Sequence, residues 1–566
     1  MSTSKKQILV TSELPHVSGM PHLGNITNSI LSADVYARYL RSNLYSEQKT
    51  NVIFIGGVDE YGVDIEINAK ELGISCKQFC DECYGIHKNI YEWFKIDFDC
   101  YGRTSEPDGN PRVSDSDWPQ ARISKEIYQA LCKNNQIIEK DEYIMYCPRI
   151  DTCVTNNYVM GMCKYCRSEI SDIYPCNTCG KTLMLCDIMD PRYKRNPMYG
   201  LELKITRNLY LDVGKIWQNS GMIRWMNSVS QNWSNMAKSI TSDYLKQELQ
   251  PQSITEDHIW GTIVPYTTTF GDVYKHKSFN KLFEILMGYM NIIEECMSIE
   301  ESEFWWKDQM THIVQFVSKD NVLLHSVMFP AILRGSKYSA IQNIDIIATD
   351  SMMYEGRPFS KQLFCDDVIK ISEEYNLLPD HWRAYLIYIH SENPNFILNE
   401  FVNFINNTLV GNLSNMLYRA ISIAYHIKSK YNVGTIDKKN ITIELDVPIK
   451  CMVSVYKKFM NTYKLSDAFK MLFRISSRLN TYIDQIESHI LNAITIDPSS
   501  CQYISDIYTY VINLSYMIDP FMPTIGQRIR NEFNATIFQE QHKIHLPAEK
   551  TAIFNRIPAI DYIGKN

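Results

Sequence analysis

From Ile8 to Thr11 the chain is apolar without a break, as expected of a short strand covered on both faces. A stretch punctuated by Pro15, Gly19, Pro21 and Gly24 follows. Then Ile26, Ile30, Leu31, Val35 and Leu40 recur at helical spacing up to Arg41. Asn51-Val52-Ile53-Phe54-Ile55-Gly56-Gly57 predicts a second buried strand, with a second helix from about Asp64 to Leu72. Strand, helix and strand in so short a span make a βαβ unit, and its parallel sheet predicts an α/β nucleotide-binding fold. Many α/β enzymes begin this way, so the pattern alone says nothing of substrate.

From about Ser116 to Ser242 the pattern breaks into a cysteine-rich segment with scattered charge and tyrosine. Strand-like runs resume at Ile313 to Val317 and at Ile344 to Ala348, so the segment reads as an insertion. Beyond about Ile371 the chain turns to amphipathic helices, at Asn399 to Ala424, Pro448 to Phe459, Leu465 to Ile483 and Ile504 to Ile518. These predict a helical bundle. The expected domains are 1–115 and 243–370 for the two halves of the α/β domain, 116–242 for the insertion and 371–566 for the bundle.

At 566 residues the chain is too long for one core. Its 45% apolar and 21% charged residues are those of an ordinary globular protein. No long uncharged apolar run predicts a membrane span, and no secretory signal stands at the start, so the cytoplasm is the expected location. A net charge of −7 argues against binding nucleic acid over the whole surface, and no DNA partner is expected. From Ile371 onward there are 19 Lys and Arg against 18 Asp and Glu, so residues 1–370 carry the remaining −8. Any RNA contact must come from local patches.

The chemistry concentrates in a few places. His22-Leu23-Gly24-Asn25 falls where a strand gives way to a helix, the place where unpaired amides and the helix dipole favour phosphate. Asp59 ends the second strand, placed for a ligand's amino group. Cys163, Cys166, Cys176 and Cys179 form a Cys-x2-Cys-x9-Cys-x2-Cys array. Two such knuckles close on one ion with four thiolates, which predicts a structural zinc with no position open for catalysis.

The run Leu14-Pro15-His16-Val17-Ser18-Gly19-Met20-Pro21-His22-Leu23-Gly24-Asn25 resembles the first signature of class I aminoacyl-tRNA synthetases. Ser32 to Tyr39 resembles the methionyl branch, and the resemblance extends to about Arg556. It implies a Rossmann-type catalytic domain interrupted by a zinc-binding insertion and followed by a helical anticodon-binding domain. It further implies ATP-dependent activation of methionine and transfer to tRNA(Met), with Mg accompanying ATP and no covalent enzyme intermediate. By resemblance His22, Gly24 and Asn25 bind ATP, and Asp59 takes the methionine ammonium beside Leu14, His16, Tyr289 and His325. The second signature appears as Pro358-Phe359-Ser360-Lys361-Gln362, with Lys361 stabilising the leaving pyrophosphate. In the bundle Asn415 and Arg419 share a helix face, and with His489 they fall where the family reads the anticodon. Each of the three is otherwise an ordinary polar surface residue.

Several positions depart from the family pattern. Leu282 stands for a methionine-pocket tryptophan, Glu256 for an arginine, His16 for a tyrosine, and Pro358, beside Arg357, for the first signature lysine. Relatives with a second pair of knuckles flank the zinc array with further cysteine pairs. Here Cys147 and Cys186 stand single, opposite Ile150 and Met189, and Cys153 is a substitute ligand of low weight, so one zinc is expected. No extra C-terminal domain is visible, and the expected state is a monomer. Two other readings stay open: a class I synthetase for another apolar amino acid, and a paralogue that binds tRNA without catalysis.

Overall fold

The computed structural model describes residues 6–17, 19, 21–42, 50–106, 118–170, 176–219, 221–267, 269–271, 273–336, 338, 343–358, 363–390, 394–431, 435–437, 447–492, 498–532, 543–545, 553–558 and 560. At the centre lie five parallel strands: β1 (Lys6–Ser12), β2 (Thr50–Val58), β3 (Cys100–Arg103), β4 (Thr311–Ser318) and β5 (Asn343–Thr349). Their order is β5-β4-β1-β2-β3. Ile8 pairs with Val52 on one side and His312 on the other, so β1 is flanked along its length. Alternation divides these strands between two cores. Val10, Phe54 and Phe316 enter one layer, while Leu9, Ile55 and Ile313 enter the other. Both faces are covered, which explains the unbroken apolar runs.

The helical run after β1 starts at Leu23, passes through a wide π turn at Ile26–Ile30 and continues as α1 (Leu31–Arg41). Helix α2 (Val63–Leu72) follows β2, and α3 (Lys281–Cys296) packs on the sheet, its Glu284 carbonyl accepting from Gln120 Nε2 at 2.8 Å. Within the interrupting segment Ile137–Cys147 pairs antiparallel with Glu202–Leu211. A smaller antiparallel sheet of Val159–Cys163, Glu169–Ile170, Ile188–Tyr193 and Asn196–Gly200 sits at its tip. The flanking helices Pro119–Lys133 and Asn235–Leu245 pack on the parallel-sheet core, where Ile127, Leu131 and Ala237 are buried together.

The helical region shares its core with α1 and the strands. Its long elements include α4 (Asn415–Tyr431) and α5 (Leu465–Asn492). Arg383, fully buried, joins the two regions. Its guanidinium donates to Asp34 Oδ2 at 2.7 Å, Phe94 O at 3.0 Å, Pro520 O at 2.9 Å and Phe521 O at 3.0 Å. Among the described residues no helix is long and apolar enough to cross a membrane.

Candidate active site

The strand order reverses between β1 and β4, and a parallel α/β sheet binds ligands at the carboxyl ends beside such a reversal. An open cleft of about 1140 Å³ lies there. It brings together Leu14, His16, His22, Gly24, Asn25 and Asp59 from the expected site. At the helix start the Asn25 side chain accepts the His22 backbone N–H at 3.0 Å, which fixes the turn into the helix. Burial lowers the pKa of the His22 imidazole from its ordinary value.

Asp59 is fixed by its backbone. Its N–H donates to Pro15 O and its carbonyl accepts from Val17, both at 3.0 Å. Burial raises the carboxyl pKa, opposed by the charges of His16 and Lys281. Gly62, three residues on, adopts φ 116°, a conformation a side chain would strain, and so lets the chain turn into α2 beside the cleft. His16 Nε2 lies 2.9 Å from Tyr61 O.

Tyr289 and His325 are buried and are not on the cleft lining. Their rings meet edge to face at 5.7 Å, and burial pushes His325 down to about 3. Residue 324, beside His325, does reach the lining. Lys361 lies outside the described residues, but the backbone after it is tied to the phosphate motif. Cys365 N–H donates to Pro21 O at 3.1 Å and Leu23 N–H to Leu363 O at 3.5 Å. On the other side of that stretch Gly356 lines the cleft.

Of the departures, Leu282 lines the cleft and is half exposed, whereas Glu256 does not line it and lies 3.7 Å from His258 Nδ1. Three lining features escaped the sequence reading: Glu13, Lys281, and the Lys319–Asp350 ion pair at 2.5 Å across the ends of β4 and β5. Glu13 carried the same signal as Asp59, an acidic residue where a parallel strand ends.

The sulfur atoms of Cys163, Cys166, Cys176 and Cys179 all lie within 4.8 Å of one another. Cys163 and Cys179 stand 3.8 Å apart, and Cys166 and Cys176 3.7 Å. A tetrahedral ion with bonds of about 2.3 Å needs sulfur–sulfur edges of about 3.8 Å, so the set fits a four-thiolate metal ion. Among the described residues no other such group of metal-binding side chains occurs.

In the helical region Asn415 is exposed at the start of α4. Arg419, one turn on, is held by two carboxylates of α5, Asp484 at 2.6 Å and Glu487 at 2.7 Å. His489 is on the same helix α5, and its side chain lies outside the described residues.

A Rossmann-type sheet with a phosphate motif after its first strand and a carboxylate ending its second defines a nucleotide-binding enzyme. Residues 8–421 match the family of tRNA synthetases class I (M). The chain is 30% identical to the cytoplasmic methionine–tRNA ligase of Saccharomyces cerevisiae over 96% of its own length and 70% of the yeast protein's. It is 32% identical to the probable cytoplasmic methionine–tRNA ligase of Dictyostelium discoideum, covering 94% and 69%. In fold it is similar to the Mycobacterium tuberculosis methionyl-tRNA synthetase in complex with methionyl-adenylate, with a TM-score of 0.70 at 14% identity over 97% and 100% of the two chains. The chain belongs to the class I tRNA synthetases of the methionyl branch, the methionine–tRNA ligases.

Proposed function

We propose that this chain joins methionine and ATP into methionyl-adenylate, releasing pyrophosphate, and then passes the methionyl group to the 3′ end of tRNA(Met). The observation that carries the reading is one cleft receiving the His22–Asn25 helix start and the Asp59 carboxylate, with Leu363 and Cys365, just past the second signature, bonded to the backbone of Leu23 and Pro21. In this reading residues 1–115 and 243–370 make the catalytic domain, 116–242 the insertion and 371–566 the anticodon-binding bundle.

Each group acts by position and charge. ATP phosphates lie against the amides at Leu23–Asn25, with His22 donating to them. Asp59 accepts the methionine ammonium, Leu14 and His16 line the cleft around the side chain, and Tyr289 and His325 pack behind that lining. The methionine carboxylate then attacks the α-phosphorus, and Lys361 stabilises charge on the departing pyrophosphate, with Mg accompanying ATP. Cys163, Cys166, Cys176 and Cys179 hold one structural zinc, which ties the tip of the insertion together. Asn415, Arg419 and His489 meet the anticodon. For Arg419 this means that RNA competes with Asp484 and Glu487. The chain acts as a monomer, and in the cytoplasm, the location that the names of the yeast and Dictyostelium relatives carry.

ATP–pyrophosphate exchange with each amino acid in turn tests the reading. Exchange with methionine alone supports it. Exchange with another amino acid points to a different class I specificity, and none at all to a tRNA-binding protein without catalysis, the outcome the Leu282 departure would explain.

A further inference from the structure

The ladder between β1 and β4 ends at Ser12 and Phe316, and beyond it the two strands part to open the cleft. Glu13, the residue after β1, reaches across that opening. One carboxylate oxygen, Oε1, accepts three hydrogen bonds from the end of β4 and the turn after it: Ser318 N–H at 2.6 Å, Ser318 Oγ at 2.7 Å and Asn321 Nδ2 at 2.8 Å. Burying a carboxylate beside the Asp320 charge is costly, and these donors offset that cost. The turn they hold, Lys319–Asn321, is also tied to β5 through Lys319 and Asp350. It leads within a few residues to Leu324, which lines the cleft, and to His325 against Tyr289. The His325 segment, Leu324–Met328, is itself a wide π turn, a backbone form that depends on its surroundings.

We propose that Glu13 is a positioning residue for amino-acid activation, its carboxylate clamping the Ser318–Asn321 turn across the sheet's reversal so that Leu324 and His325 stay set for the amino acid. The inference rests on the proposed amino-acid activation and assigns the clamp to the amino-acid end of that cleft. Gln keeps an acceptor oxygen for the three donors, whereas Ala removes it, so the two variants separate the clamp from the charge.

The test measures ATP–pyrophosphate exchange in the full chain, its Glu13→Gln and its Glu13→Ala variants, varying methionine and ATP separately. Hydrogen–deuterium exchange of the 318–324 amides is followed in all three. In Glu13→Ala, kcat/KM for methionine falls about 10- to 100-fold while KM for ATP stays within about twofold. Glu13→Gln stays within about threefold of the parent, and only the Ala variant exchanges its 318–324 amides faster. If Glu13→Ala does not fold, Asn321→Ala removes one donor from the other side of the clamp and is expected to show the same selective loss at a few-fold. A Gln variant as impaired as Ala, an equal shift in both KM values, or unchanged amide exchange in the Ala variant overturns the proposal. A parent chain without methionine-dependent exchange sinks the activity reading instead, and the clamp is then judged by amide exchange.

Discussion

Asp59 shows how much one residue's setting decides. Only 1% exposed, it has little water to stabilise its charge, and the ammonium of an amino acid would supply what is missing. Asp59→Asn keeps the shape and loses the charge. Methionine KM is expected to rise about 10- to 100-fold with ATP KM little changed, read by exchange kinetics at varied substrate. His258 gives a prediction about stability. It is buried, neither ring nitrogen has a hydrogen-bond partner, and burial lowers it from 6.5 to about 4. The folded state therefore binds fewer protons than the unfolded chain between those values. Its full stability holds above about pH 6.5 and is lost as pH falls toward 4. In His258→Leu that loss is gone. Relative to the parent, urea unfolding should show the variant gaining about 2 kcal/mol on going from pH 7 to pH 5.

Among the elements, the zinc knuckles carry the sharpest expectation. The tip of the insertion buries only a small set of side chains around Cys163 and Cys176, among them Val159, Ile170, Leu183, Ile188 and Tyr193, so a bound metal would contribute much of its folding energy. Metal analysis should find one zinc per chain, and two would overturn the single-site reading. Cys163→Ser should lose the ion and make residues 159–200 sensitive to limited proteolysis, while the parallel sheet keeps its protection. The elements were unequally legible in the sequence. β1, β2, β4 and β5 were plain because both their faces are covered and the runs are unbroken. β3 was missed because Cys100-Tyr101-Gly102-Arg103 is short and its last residue, Arg103, turns inward to pair with Glu60 at 2.7 Å. Asp59 was readable from its place at a strand's end, and Glu13 offered the same cue. What the clamp does depends on β4, nearly the whole α/β domain away in sequence, and no local pattern carries that pairing. The π turns at Ile26–Ile30 and Leu324–Met328 left no periodic trace, since an extra residue in one turn barely shifts helical spacing.

At the scale of the molecule, Arg383 binds the catalytic and helical regions into one body. From a fully buried site it reaches Asp34 and Phe94 on the catalytic side and Pro520 and Phe521 on the helical side. Arg383→Met leaves Asp34 buried with Arg38 as its remaining cation partner, and chemical unfolding should show a loss of about 3–5 kcal/mol. Because the cleft lies in one region and Asn415 and Arg419 in the other, tRNA charging should fall further than methionine-dependent exchange in the same variant.

The order of the central sheet also governs how the chain is made. β1 leaves the ribosome well before its neighbour β4, which follows roughly 300 residues later. At about 5–20 residues per second, one edge of β1 waits on the order of 15–60 s for its partner. For that interval the nascent chain presents an unpaired edge, apolar from Ile8 to Val10, to any other strand nearby. A chaperone that covers β1 until Thr311–Ser318 emerges would therefore protect this synthetase more than one that acts on the finished protein.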